Sequence, residues 1–226
     1  MPRAFSEDVQ RAKAALASLP RDWEGRKCVL ELKEADYNWR QMEWWAFYFE
    51  HICHRALEGI FEIPGERIGT VRFDMKGAVN WDLKAKAIKS DKHDCILNDK
   101  SATDLSIEAH GTHGVIIALC DVEYNDEDRT FQKWHSELKG GLSNYEKKRR
   151  LRTSVSRYRK TRAVLTEILF LRLDKRCIEG LGEMRQGRNS NGMPRPPKYM
   201  LDLEEIDGLL VDRLKFKGPK LKAKDA

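Results

Sequence analysis

No apolar run in the chain approaches the roughly 20 residues that span a bilayer, and its first residues lack the apolar core of a secretory leader. Neither membrane anchoring nor export is expected. Cysteine is sparse. Five residues, Cys28, Cys53, Cys95, Cys120 and Cys177, are scattered, odd in number and without a Cys-x-x-Cys pair. That pattern argues against a disulfide-stapled secreted scaffold and for the reducing cytoplasm. Phosphate-binding loops are missing too, since neither Gly140-Gly141 nor Gly180-x-Gly182 continues into Gly-Lys-Ser/Thr. His51 and His54 share a helix but have no matching downstream pair to complete a zinc site. Cys95 beside His93, and Cys120 beside Asp121, lack the spacing or base partner of a thiol nucleophile. There is no internal repeat.

What is present suffices for a packed core. In 226 residues the chain carries 41% hydrophobic residues, including six Trp, six Tyr and eight Phe, although 35% are charged. Low aromatic content marks disorder, so this composition predicts one soluble folded domain over 1–226. The net charge is +6 and it is unevenly spread. Between Lys147 and Arg162 stand Lys147, Lys148, Arg149, Arg150, Arg152, Arg157, Arg159, Lys160 and Arg162, interleaved with Tyr158 and adjoined by Tyr145. Such a run is an anion-binding footprint, and nucleic acid is its natural anion.

Hydrophobic periodicity divides the chain into elements. A first helix is expected from an N-cap at Ser6 to Ser18, and a second, with Met42, Trp45, Ala46, Phe49 and Cys53 on one stripe, from about Asn38 to Leu57. From Thr70 the period changes to two. Thr70–Lys76 and Asn80–Ile88 read as a hairpin around Gly77-Ala78-Val79, with Val71, Phe73 and Met75 matched to Trp81, Leu83, Ala85 and Ala87. A short helix over Thr103–Ala109, a fully buried strand over Gly114–Val122 and a helix over Thr130–Lys139 follow. The basic segment is compatible with a helix over 144–161, Leu165–Leu173 with a strand, Tyr199–Leu203 with a strand and Glu204–Leu214 with a helix. Turn formers crowd Gly187–Lys198, which reads as a long cationic loop. These elements predict a mixed α/β (α+β) domain, a central sheet of about five strands flanked by helices. Its catalytic core would span about 38–139, with a basic DNA-binding segment and loop over about 140–200.

The hairpin carries the chemistry. Side chains alternate along a strand, so Asp82 and Lys84 share a face, and Asp74 joins them if the turn has an odd length. A three-residue Gly77-Ala78-Val79 turn places Asp74 opposite Asp82; a two-residue turn sends it to the other side. Two carboxylates at about 5 Å repel one another unless a cation lies between them, and hard oxygen ligands suit Mg²⁺. Lys84 would orient an attacking water or neutralise a phosphate. An isolated Asp-x-Lys triplet is commonly a pair of solvent-facing charges. The pairing with Asp74 and the basic segment set this one apart.

Phe73-Asp74 followed by Trp81-Asp82-Leu83-Lys84 resembles the PD-(D/E)XK nuclease superfamily, in particular its type II restriction endonucleases. Two departures stand out: Phe73 occupies the position of the proline, and the interval between the two acids is short. The resemblance implies Mg²⁺-dependent hydrolysis of double-stranded DNA leaving a 5′ phosphate, usually by a homodimer on a palindromic site, with a cognate DNA methyltransferase in the same host. It assigns metal ligation to Asp74 and Asp82 and water orientation to Lys84. Many members add a helix glutamate, for which Glu50 is the first choice and Glu43 the fallback. Base reading suits Arg188, Asn189, Asn191, Arg195 and Lys198 in the long loop, because Arg pairs with guanine and Asn with adenine. Arg149, Arg150, Arg152, Arg157, Arg159 and Lys160 suit phosphates. The expected function is a sequence-specific DNA endonuclease. A repair or recombination nuclease that recognises DNA structure, and a non-catalytic DNA-binding protein, are the alternatives.

Overall fold

A computed structural model describes residues 3–64, 73–88, 93–124, 128–142, 144, 147–148, 151, 159–188 and 192–217. The first helix, α1 (Arg3–Leu16), buries Phe5, Val9, Ala12 and Leu16, spaced three and four apart along one face. It begins ahead of Ser6, which therefore lies inside the helix and is not its cap, because Phe5 belongs to the same buried stripe. A short strand β1 (Asp22–Glu24) leads into α2 (Gly25–Glu34), two elements the periodicity did not disclose. Glu24 caps α2, its carboxylate accepting from the Arg26 and Lys27 amides at 3.1 and 2.8 Å. Only glycine fits at position 25, where an added Cβ would stand 2.8 Å from the Thr161 carbonyl and 2.9 Å from the Phe131 ring.

Helix α3 (Trp44–Leu57) starts six residues later than the stripe from Asn38 suggested. Asp36 and Asn38 take positive φ angles of 51° and 44°, which interrupt any helix before Trp44. Seven of its residues, from Trp44 to Leu57, are buried.

The central sheet is mixed, as expected, with five strands in the order β1-β6-β5-β3-β2 and a sixth, β9, added on β6. Its members after β1 are β2 (Met75–Lys76), β3 (Asn80–Ala87), β5 (His113–Glu123), β6 (Arg162–Leu173) and β9 (Leu210–Lys215). Strand β3 runs parallel to β5, the two being joined through α4 (Lys100–His110), while β5 and β6 are antiparallel. The helix foreseen over Glu204–Leu214 is not formed: β9 replaces its second half. The long strand β6 offers Glu167–Leu171 as an unpaired edge, and pairing with Leu210–Lys215 satisfies it. A second, three-stranded sheet contains β4 (Asp94–Asp99), β8 (Lys198–Asp202) and β7 (Gly182–Met184) in the order β4-β8-β7.

Each face of the central sheet is covered. On one side α1, α2, α3 and α5 (Thr130–Leu138) pack Phe5, Val29, Trp44, Phe49 and Phe131 onto Trp81, Leu83, Ile116 and Phe170. On the other, α4 and the small sheet pack Cys95, Leu97, Ile107, Tyr199 and Leu201 onto Val115, Ile117, Leu169 and Leu171. Burial on both faces explains why β5 reads as an uninterrupted apolar run. No helix among the described residues is long and apolar enough to cross a membrane.

Candidate active site

The hairpin turn sets the register up to Met75. Met75 pairs with Trp81 and Lys76 with Asn80, leaving Gly77-Ala78-Val79 as a three-residue turn. Asp74 stands just outside the ladder, its amide donating to the Trp81 carbonyl at 3.0 Å, and its carboxylate turns to the edge of β3 near Lys84, close enough to Asp82 for the two charges to interact. Asp8 of α1 pins the turn, its Oδ2 accepting from the Ala78 amide at 2.7 Å and from the Trp81 indole at 3.2 Å. On the far edge Glu62 exchanges backbone hydrogen bonds with Lys76, tying the chain that leaves α3 to the hairpin. Val71 lies outside the described residues. Phe73, expected to pack inward with Trp81, is only half-buried because regular pairing begins at Met75.

Three charges meet on this face. Lys84 Nζ stands 3.5 Å from Asp74 Oδ2 and donates to the Leu83 carbonyl at 3.1 Å. The same Asp74 oxygen accepts from the Leu83 amide at 2.6 Å. Asp74 and Lys84 keep 23% of their side-chain surface, whereas Asp82 keeps 1%. Asp82 Oδ1 accepts from Asn98 Nδ2 at 3.1 Å, and Oδ2 lies 3.1 Å from His113 Nε2.

Glu50, on the α3 face toward the hairpin, accepts a short hydrogen bond from the Tyr37 hydroxyl. It feels the charges of Asp74, Lys84 and Asp82. Glu43, its alternative, lies at the other end of α3 and binds Trp45 Nε1 at 2.8 Å and Lys160 Nζ at 2.7 Å. Of the two helix glutamates only Glu50 is brought to the aspartate pair.

Burial and like charge set the electrostatics. Burial pushes the Asp74 carboxyl above the usual carboxylate range, and neighbouring Asp82 adds to the push against the restraint of Lys84. Burial opposes ionisation of Asp82 as well, but Lys84, His113 and Asn98 together hold its carboxyl below that range. For Glu50, burial and then the Asp74 charge raise the pKa to about 7. Desolvation works against the Lys84 ammonium, yet Asp82, Asp74 and Glu50 keep it charged well beyond its ordinary range.

No known family, curated protein or solved structure matches this chain. Its chemistry therefore has to be read from the residues. No cluster of three or more His, Cys, Asp or Glu side chains among the described residues is arranged to hold a metal by itself. Asp74 and Asp82 nevertheless provide two hard carboxylates, and the Leu83 carbonyl beside them already accepts a cationic donor from Lys84. That donor set fits Mg²⁺, which binds through one or two carboxylates and completes its shell with water and substrate phosphate.

The residues proposed for DNA fall into three groups. Arg149, Arg150, Arg152, Arg157, Asn189 and Asn191 lie outside the described residues. Arg159 is buried, and Lys160 faces inward to Glu43, with its ammonium 5.0 Å from the Trp45 ring centroid and 5.5 Å from that of Tyr124. Arg188 donates to the Gly192 carbonyl at 2.8 Å, Arg195 is exposed, and Lys198 pairs with Asp99 at 3.4 Å. Sequence reasoning missed Asn98, His113 and Tyr37. For His113 there was a faint signal, a polar residue heading an apolar strand; for Asn98 there was none, because its approach to Asp82 depends on two separate sheets.

Proposed function

We propose that this protein is a Mg²⁺-dependent endonuclease acting on double-stranded DNA at a specific sequence. The observation that carries the reading is the approach of the Asp74 carboxylate to Lys84 at 3.5 Å and to the charge of Asp82 at the end of the hairpin. Net charge of +6 supports a polyanionic substrate. Resemblance of Phe73-Asp74 and Asp82-Leu83-Lys84 to the PD-(D/E)XK pattern supports the reaction class, and with it a homodimer and a cognate methyltransferase in the host, while the scattered cysteines without a Cys-x-x-Cys pair support a cytoplasmic setting.

In this reading Asp74 and Asp82 would hold the metal, with the Leu83 carbonyl as a further oxygen donor. Such an ion would supply charge neutralisation at the phosphate and activation of water near neutral pH. Lys84 would turn its ammonium from Asp74 toward the attacking water and the non-bridging phosphate oxygens. Glu50, with its pKa raised to about 7, is poised to accept a proton from water at one of its carboxylate oxygens. Arg188, Arg195 and Lys198 are proposed to face the bases, together with Asn189 and Asn191. Arg149, Arg150, Arg152 and Arg157 are proposed to hold phosphates. Arg159 and Lys160 belong to that set only if DNA draws them away from their inward positions.

Incubating purified protein with phage DNA, with and without Mg²⁺, tests the proposal. Discrete fragments formed only with Mg²⁺ are expected. Asp82→Ala and Lys84→Ala should lose cleavage by more than about a thousandfold while remaining folded and able to bind DNA. A Mg²⁺-dependent smear would replace site specificity with recognition of DNA structure, and absence of cleavage would leave a DNA-binding protein.

A further inference from the structure

Asp82 is held by groups from two elements, one of them braced by a third. Along β4, Cys95 and Leu97 point into the core while Ile96 is 44% exposed, so strict alternation would send Asn98 outward with Ile96. The pairing with β8 shifts between Ile96↔Met200 and Asp99↔Lys198, placing one extra residue in β4. A bulge of this kind re-aims a side chain, and here the Asn98 amide nitrogen reaches Asp82 Oδ1 at 3.1 Å. The amide is oriented, because its oxygen accepts the Asp99 N–H at 2.9 Å and leaves the NH₂ for the carboxylate. On the other side His113 Nε2 lies 3.1 Å from Asp82 Oδ2, and its Nδ1 lies 3.0 Å from the Ser106 hydroxyl of α4. A neutral ring donating from Nε2 and accepting at Nδ1 satisfies both contacts. Ser106, His113 and Asp82 are 3%, 1% and 1% exposed, so this is no serine-nucleophile triad open to a substrate.

We infer that Asn98 and His113, the latter braced by Ser106, are positioning residues that lock the Asp82 carboxylate. Resting on the nuclease reading, this assigns them the task of aiming the remaining Asp82 lone pairs at the metal. Each carboxylate oxygen gives one lone pair to its donor and keeps another. Fixing both oxygens removes the torsional freedom that a carboxylate would otherwise lose on binding metal. Loss of such outer partners typically costs metal affinity or activity about 10–100-fold.

The test compares wild type with Asn98→Leu, similar in shape but without the donor, and Ser106→Ala, which spares both direct contacts. Binding of Mn²⁺ alone is followed by the EPR signal of the free ion, alongside kcat, KM for DNA and thermal midpoint. Asn98→Leu should weaken Mn²⁺ binding and lower kcat about 10–100-fold, with KM for DNA within about twofold of wild type. Ser106→Ala should shift the same two quantities less, and it serves if Asn98→Leu fails to fold. Wild-type Mn²⁺ affinity and kcat in the folded variants would overturn the inference. A wild type that binds Mn²⁺ without cutting DNA would overturn the nuclease reading alone, and the variants' Mn²⁺ affinities would still judge the lock. A wild type that binds no Mn²⁺ would overturn both.

Discussion

Glu50 shows how a single residue ties stability to pH in this site. Burial and the nearby Asp74 raise its carboxyl from the ordinary 4.5 to about 7. A carboxyl raised on folding favours the native state while it is protonated, and that contribution is lost as pH climbs from about 4.5 through about 7. Glu50→Gln never carries the charge. The variant should match wild type near pH 4 and exceed it by on the order of 1–3 kcal/mol at pH 8, as read by urea unfolding at each pH. Equal stabilities at pH 8 would show that Glu50 ionises there without cost. Asp82 poses the opposite case: its donors keep it charged at 1% exposure, so acid should weaken the network that holds it.

At the scale of elements, the hairpin turn connects α1 to the strand that carries Asp82 and Lys84. Asp8, 3% exposed, accepts from both the Ala78 amide and the Trp81 indole, and removing it strands the buried indole donor and frees the turn. Asp8→Ala should cost about 1–3 kcal/mol in urea unfolding. If the site reading holds, cleavage should fall further than the loss of folded protein explains, because the turn places Asp74. A variant as stable as wild type would remove Asp8 from this role. Position 77 is tight for the same reason: an added Cβ would lie 2.4 Å from Asp8 Oδ2. The element lesson extends to the two misjudged helices. Local apolar spacing favoured helix at Asn38 and at Glu204–Leu214, but positive φ angles at Asp36 and Asn38 delayed the first, and the open edge of β6 recruited the second as a strand. Tertiary pairing outweighs a local preference worth a few tenths of a kcal/mol per residue.

For the whole molecule, the proposed binding of DNA makes charge distribution the quantity to test. Each phosphate contact releases about one counterion, so Arg150→Ala should lower the slope of log affinity against log salt by about 0.9. Filter binding or fluorescence anisotropy across a salt series measures it, and an unchanged slope would exclude Arg150 from phosphate contact. Much of the site could be read along the chain. Alternation within Asn80–Ala87 put Asp82 and Lys84 together, and the glycine-led turn of three residues set the register up to Met75, the neighbour of Asp74. These relations are local, set by the two-residue repeat of a strand and by turn length. The partners of Asp82 are not local. His113 reaches it because β3 and β5 pair in parallel across an intervening strand and helix, and Asn98 because a bulge turns the edge of a second sheet inward. Pairing and layer stacking depend on the surface the whole chain can bury, so the sequence alone determined which groups share the hairpin face, and only the tertiary structure decided what holds Asp82 in place.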